Sequence, residues 1–202
     1  MNRIYRQGEC VIPIILASAS PYRAALLKRL NIPFESIAPD IDETMLEHED
    51  VRRMVERLAE AKAKGIPALP AGSIVIGSDQ AAILAGKIVG KPGDHAAAVS
   101  QLQNASGKTM HFHTGLCVWD SARNETQIDC VECLVKFRTL SLGEIDRYLL
   151  VERPYDCAGS FKSEGYGITL LESISGGDAT ALIGLPLIRL CAMLRQTGIR
   201  LP

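Results

Sequence analysis

Ile12-Pro13-Ile14-Ile15-Leu16-Ala17-Ser18-Ala19-Ser20-Pro21-Tyr22-Arg23 is the stretch that decides how this chain folds. Residues 12–17 form a short continuous apolar run, the pattern of a strand buried on both faces. Ser20 is a natural helix cap, and Pro21 suits the first helical position, where a missing N–H costs nothing. The reading is a buried strand turning directly into a helix over residues 22–30, with Leu26, Leu27 and Leu30 inward. That junction is the unit from which α/β folds are built.

The same patterns continue outward. Asn31-Ile32-Pro33 stops the helix, residues 34–38 form a short strand, and an acidic loop follows, Pro39-Asp40-Ile41-Asp42-Glu43. Val51, Val55, Leu58 and Ala61 recur at helical spacing over residues 51–64. Residues 73–78 read as another buried strand that ends at Asp79-Gln80, followed by a hairpin from 82–84 to 88–90. A helix is expected over 95–103, then two long paired strands over 109–119 and 127–137. Ser141-Leu142-Gly143-Glu144 is a capping-box pattern opening a helix to about residue 151. A glycine-punctuated loop over 159–167 leads to a strand at 168–173, and a last helix spans 185–196. The expected fold class is α/β: a mixed, partly antiparallel twisted sheet flanked by helices, in one domain spanning 1–202. Residues 1–10 read as an N-terminal extension.

Composition excludes several functions. With 22 Lys+Arg against 23 Asp+Glu, the net charge of −1 gives no basic face for a nucleic acid polymer. No run approaches the ~18 apolar residues of a membrane span. The six cysteines are too sparse for a disulfide scaffold, so reduced thiols and a cytoplasmic location are expected. Cys130 and Cys133 have zinc-like spacing, but on a strand they point to opposite faces, which favours packing. The basic start Met1 to Arg6, the apolar 11–17 and Ala17-Ser18-Ala19 imitate a cleaved signal. Glu9, Pro13 and the shortness of the apolar run argue against it.

Candidate chemistry gathers where strands end, the usual place for ligands in α/β proteins. Ser18, Ser20 and Arg23 flank a helix N-terminus, whose N–H groups and dipole favour an anion. Read alone, Ser20 only caps the helix and Arg23 is solvated. Asp79, directly after an apolar strand, has the chemistry to hold a metal or deprotonate water. Glu43 is a second carboxylate for the same cation, and Lys62 and Lys91 suit phosphate oxygens. Lys62, on a helix, has the plain alternative of a surface charge. His111 and His113 share a strand face but lack a third metal ligand.

The order of these segments resembles the Maf family of nucleotide pyrophosphatases. The motifs are Leu16-Ala17-Ser18-Ala19-Ser20-Pro21-Tyr22-Arg23, Pro39 to Glu43, Lys62, Gly77-Ser78-Asp79-Gln80 and Gly90-Lys91-Pro92. Ser106-Gly107-Lys108, Thr114-Gly115 and Phe161-Lys162-Ser163-Glu164-Gly165-Tyr166-Gly167 continue it, from about Ile14 to Leu194. The resemblance implies an inosine-triphosphatase-like fold with two lobes around a cleft, and a homodimer. It implies hydrolysis of a nucleoside triphosphate between the α and β phosphates, with a divalent cation, Mg²⁺ or Mn²⁺. By matching motif, Asp79 is the proton acceptor, with Glu43, Lys62 and Lys91 also in the catalytic set. Ser18 and Arg23 join the lysines on the triphosphate, and Glu43 with Asp79 places the metal.

Three positions bear on the base. The branch acting on dTTP and UTP carries arginine, threonine and glutamine where this chain has Tyr22, Gln80 and Glu164. The present residues resemble the branch that hydrolyses 7-methyl-GTP. N7-methylation makes guanine cationic, which strengthens stacking on an aromatic ring such as Tyr22. Glu164 is suited to accept from guanine N1–H and its amino group. The alternatives are a dTTP/UTP-directed or broad-specificity pyrophosphatase, and a non-catalytic nucleotide-binding regulator of division.

Overall fold

The computed structural model describes residues 12–202. The expected extension over 1–10, including Cys10 and the signal-like start, lies outside the described residues. The elements are β1 (Ile14–Leu16), α1 (Pro21–Lys28), β2 (Glu35–Ser36), α2 (Val51–Lys64), β3 (Ile74–Leu84), β4 (Lys87–Val89), α3 (His95–Ala105), β5 (Thr109–Asp120), β6 (Glu125–Phe137), α4 (Leu142–Glu152), β7 (Leu171–Gly176), α5 (Ala179–Ile183) and α6 (Leu187–Gln196). The strands form one seven-stranded sheet in the order β2-β1-β3-β5-β6-β7, with β4 also paired to β3. β1 lies parallel to β2 and β3, and the other pairs are antiparallel, so the sheet is mixed as expected.

The feature that makes a cleft is the divided edge of β3. Its beginning pairs with β1 through Leu16↔Ile76, and its end pairs with β4 from Ala82↔Val89. Residues 77–81 lie between these two partners, and there the edge of β3 is open. The sequence suggested a strand ending at Ser78, with Asp79 beyond it. Instead β3 runs unbroken through Asp79, because β5 pairs with it continuously, including Asp79↔Gly115. What ends near Asp79 is the neighbouring strand β1.

Alternation along β3 sends its side chains to two separate cores. Ile74 and Ile76 pack with Leu16, Leu27, Leu190 and Met193 under α1 and α6. Val75 packs on the other face with Ile15, Ala59, Ala63 and Cys117 under α2. The approach of α2 is unusually close. A Cβ built on Gly77 would lie 2.0 Å from the Ala59 carbonyl oxygen, and one on Gly115 would lie 2.1 Å from that of Val55. Only glycine leaves room for the helix backbone at these two positions. The other large core joins α3 and α4 to β5 and β6 around Phe112, Phe137, Tyr148 and Phe161.

Local signals were met closely at several ends. Ser20 caps α1 by accepting from Arg23 N–H, and Ser141 and Glu144 form the expected reciprocal capping box on α4. Two departures lie in the last third of the chain. The strand expected at 168–173 begins only at Leu171, because residues 166–170 wind into a 3₁₀ turn. The short helix α5, capped by Asp178, was not anticipated. At five residues it is too brief to show a periodic pattern.

Candidate functional site

The cleft at the divided edge of β3 has a volume of about 480 Å³. It is lined by every residue expected at the site: Ser18, Tyr22, Arg23, Glu43, Lys62, Asp79, Gln80, Lys91 and Glu164. They come from six stretches of chain spread over most of its length.

Lys62 is the hub. It lies on the buried stripe of α2 with Val55, Leu58 and Ala59, not on a solvated face. The glycine-permitted closeness of α2 brings its ammonium to Asp79 Oδ1 at 2.6 Å and Glu43 Oε1 at 2.7 Å. Lys62 and Asp79 are both nearly buried, so this pair is shielded from the water that weakens surface ion pairs. Glu43 is exposed and reaches the cleft from a loop that is itself tethered. Arg57 donates to both Glu49 oxygens at 2.6 and 2.7 Å and to the Thr44 carbonyl at 3.1 Å, pinning the loop to α2.

Two carboxylate oxygens converging on one nitrogen carry an excess of negative charge over Lys62 alone. Hard, anionic oxygens in this number fit Mg²⁺ or Mn²⁺, which protein sites hold through one or two carboxylates plus substrate phosphates and water. Among the described residues no group of three or more His, Cys, Asp or Glu is arranged to hold a metal by itself. His111 and His113 instead face one carboxylate, Glu132, at 3.0 and 3.7 Å. Cys130 and Cys133 lie in separate cores on opposite faces of β6.

The opposite face of β3 organises the second wall. Ser78 Oγ lies 2.8 Å from the Gly115 carbonyl and 2.9 Å from that of Gly184. Arg23 Nε donates to the same Gly184 carbonyl at 2.9 Å, so the end of α5 orients the guanidinium. Burial pushes the Arg23 pKa down, opposed by the charges of Asp79 and Glu43. Gln80 Nε2 donates to Thr114 Oγ1 and to the carbonyls of Ala181 and Leu182. Carbonyls only accept, so the amide nitrogen must face them and the amide oxygen is left for a ligand. Ser18 Oγ accepts from Ser20 N–H at 3.1 Å, which leaves its own O–H to donate beside the α1 N-terminus.

At the far end, Tyr22 is half-buried and its hydroxyl donates to Asp156 Oδ2 at 3.1 Å. Burial raises the Tyr22 pKa, so the phenol stays protonated. Burial also pushes the adjacent Cys157 thiol up to about 12, with Asp156 adding to the effect, which leaves it a poor nucleophile. Asp156 and the α5 carbonyls were not picked out from sequence, and Ser78 was quoted only within its motif, without a role. Nothing local distinguishes them, since their roles come from contacts more than a hundred residues away.

Comparison with known proteins places the chain in a family. A family model described as "Maf-like protein" matches residues 13–197. A "7-methyl-GTP pyrophosphatase" of Ralstonia nicotianae is 54% identical over 184 residues, covering 91% of this chain and 95% of that protein. Proteins of the same description from Nitrosococcus oceani (51%, 92% and 93% covered) and Pseudomonas aeruginosa (50%, 94% and 98% covered) are similarly close.

Proposed function

The chain belongs to the Maf family, and on that premise we propose that it hydrolyses 7-methyl-GTP to 7-methyl-GMP and pyrophosphate, clearing a modified nucleotide. The observation that carries the reading is Lys62 joining Asp79 to Glu43 in the same cleft as the α1 N-terminus, Tyr22 and Glu164. The three described relatives at 50–54% identity support the choice of base.

A triphosphate carries a charge near −4, and Arg23, Lys62, Lys91 and the α1 N-terminus supply the cations and donors that offset it. Glu43 and Asp79 would hold a divalent cation there, which when bound adds charge neutralisation at the phosphates. Lys62 holds Asp79 Oδ1, so Oδ2 takes the proton from the attacking water. The water oxygen bonds to the α phosphorus and the α–β bridge breaks, its electron pair leaving on pyrophosphate. Tyr22 stacks on the cationic base, and Glu164 accepts from N1–H and the amino group.

We infer in addition a cytoplasmic location and, as the family resemblance implies, a homodimer. The five described cysteines, all free, support a reducing compartment, and among the described residues no helix is long and apolar enough to cross a membrane. Sedimentation of the purified protein tests the dimer. The function itself is tested by incubation with Mg²⁺ or Mn²⁺ and a nucleotide panel, with pyrophosphate and orthophosphate assayed separately. Pyrophosphate released fastest from 7-methyl-GTP upholds the reading. Fastest release from dTTP or UTP would make it a pyrimidine enzyme, and binding without release would make it a sensor.

A further inference from the structure

Lys162 has no part in the chemistry described so far, yet it lines the cleft together with Tyr22 and Glu164. Its ammonium stands 5.4 Å from the centroid of the Tyr22 ring, in cation–π range. Its carboxylate partner, Glu152, is 3.9 Å away, too far for a hydrogen bond. Glu152 is meanwhile occupied by a 2.6 Å bond from Tyr166 N–H. The Lys162 backbone is fixed, its N–H donating to Tyr148 Oη at 3.0 Å, so the side chain is projected from a rigid base. Burial alone would lower the Lys162 pKa, but Tyr22 and its neighbours outweigh it and the group stays charged. It is a cation with donors to spare, resting on the ring proposed to stack the base.

We propose that Lys162 is a base-reading residue: its ammonium leaves the Tyr22 ring as the base stacks there and donates to O6 of the purine. This rests on the reading of the cleft given above and extends it. Guanine presents O6 and N7 as acceptors on one edge, and N7-methylation removes the second, leaving O6 for a cationic donor. Lys162 and Glu164, two residues apart on one loop, then offer a donor for O6 and an acceptor for N1–H and the amino group. Adenine, with an amino group at position 6, meets the ammonium donor to donor. The charge of Lys162 does not expel a cationic base, because Asp156 and Glu164 line the same cleft and outnumber it. The ring face that holds the ammonium in the free protein is thereby suited to the methylated base.

The test compares wild type, Lys162→Met and Lys162→Arg on 7-methyl-GTP and GTP, which have O6, and on ATP and 2-aminopurine riboside triphosphate, which lack it. A charge-assisted hydrogen bond corresponds to roughly a 10- to 100-fold effect. Lys162→Met is expected to lower kcat/KM by that factor for the two O6 nucleotides and by less than about twofold for the others, with partial rescue by Lys162→Arg. An equal loss on all four would assign Lys162 to the phosphates or to packing of Tyr22, and no loss on any would remove it from the site. Either result overturns the proposal. If wild type releases no pyrophosphate from 7-methyl-GTP, the functional reading fails separately. Lys162 is then judged by binding affinities for the same four nucleotides, where a loss confined to the O6 pair upholds it and any other pattern overturns it.

Discussion

Replacing Gly115 by alanine adds one methyl group at the point where α2 lies on the sheet, opposite Asp79 in the register. The new Cβ would sit 2.1 Å from the Val55 carbonyl oxygen, where ordinary contact begins at 3.4 Å. Backbone atoms on both sides leave no flexible end to swing away, so α2 must back off by about 1.3 Å, the difference between those distances. Overpacking of this kind costs about 1–3 kcal/mol, which for a chain of this size lowers Tm by roughly 2–12 °C. The same shift carries Lys62 away from Asp79 Oδ1, and a misplacement of ~1 Å costs on the order of a hundredfold in turnover. The assay is a thermal melt together with kcat for pyrophosphate release from 7-methyl-GTP. Gly177→Ala is the control, since a Cβ there meets nothing within 4 Å. A Gly115→Ala protein with normal Tm would refute the packing argument. A lowered Tm with unchanged kcat would refute the claim that the approach of α2 sets the Lys62–Asp79 geometry.

Asp79→Asn keeps the shape of the side chain but removes the proton acceptor, so kcat should fall about 10²–10⁴-fold while calorimetric binding of the nucleotide persists; full activity would end its assigned role. Tyr22→Ala should lower the kcat/KM ratio of 7-methyl-GTP over GTP, and an unchanged ratio would show that the ring does not read the methyl group's charge. Hydrogen bonds from Arg57 hold the Glu49 pKa at about 2, below its ordinary 4.5. A depressed carboxylate stabilises the fold above its unfolded pKa and loses that contribution as pH falls through the folded value. The difference in denaturation midpoint between wild type and Glu49→Gln should therefore be full above about pH 5 and shrink toward pH 2; a constant difference would dissociate it from this titration.

Element identity and the α/β class were legible in the chain because they depend on neighbours a few residues apart. The run 12–17, the Ser20-Pro21 start and the Ser141–Glu144 box each satisfy local backbone needs, and each formed an element of the type read, the first as the shorter strand Ile14–Leu16. The surface-charge alternative for Lys62 failed, since the folded helix puts it on the buried stripe with Val55, Leu58 and Ala59. The cleft itself was not legible. It depends on β3 exchanging one edge partner for another across residues 77–81, and strand pairing is a long-range choice that no local pattern encodes. Asp79 was placed beyond a strand end, because a polar residue after an apolar run looks like one until β5 is known to pair through it. The chain by itself determined which chemical groups are available and on which elements they ride. Tertiary structure alone decided that Gly77 and Gly115 admit α2, that Lys62 then joins Asp79 to Glu43, and that Tyr22 meets Asp156 and Lys162. Those contacts span long loops of sequence, and only the packed sheet fixes their distances.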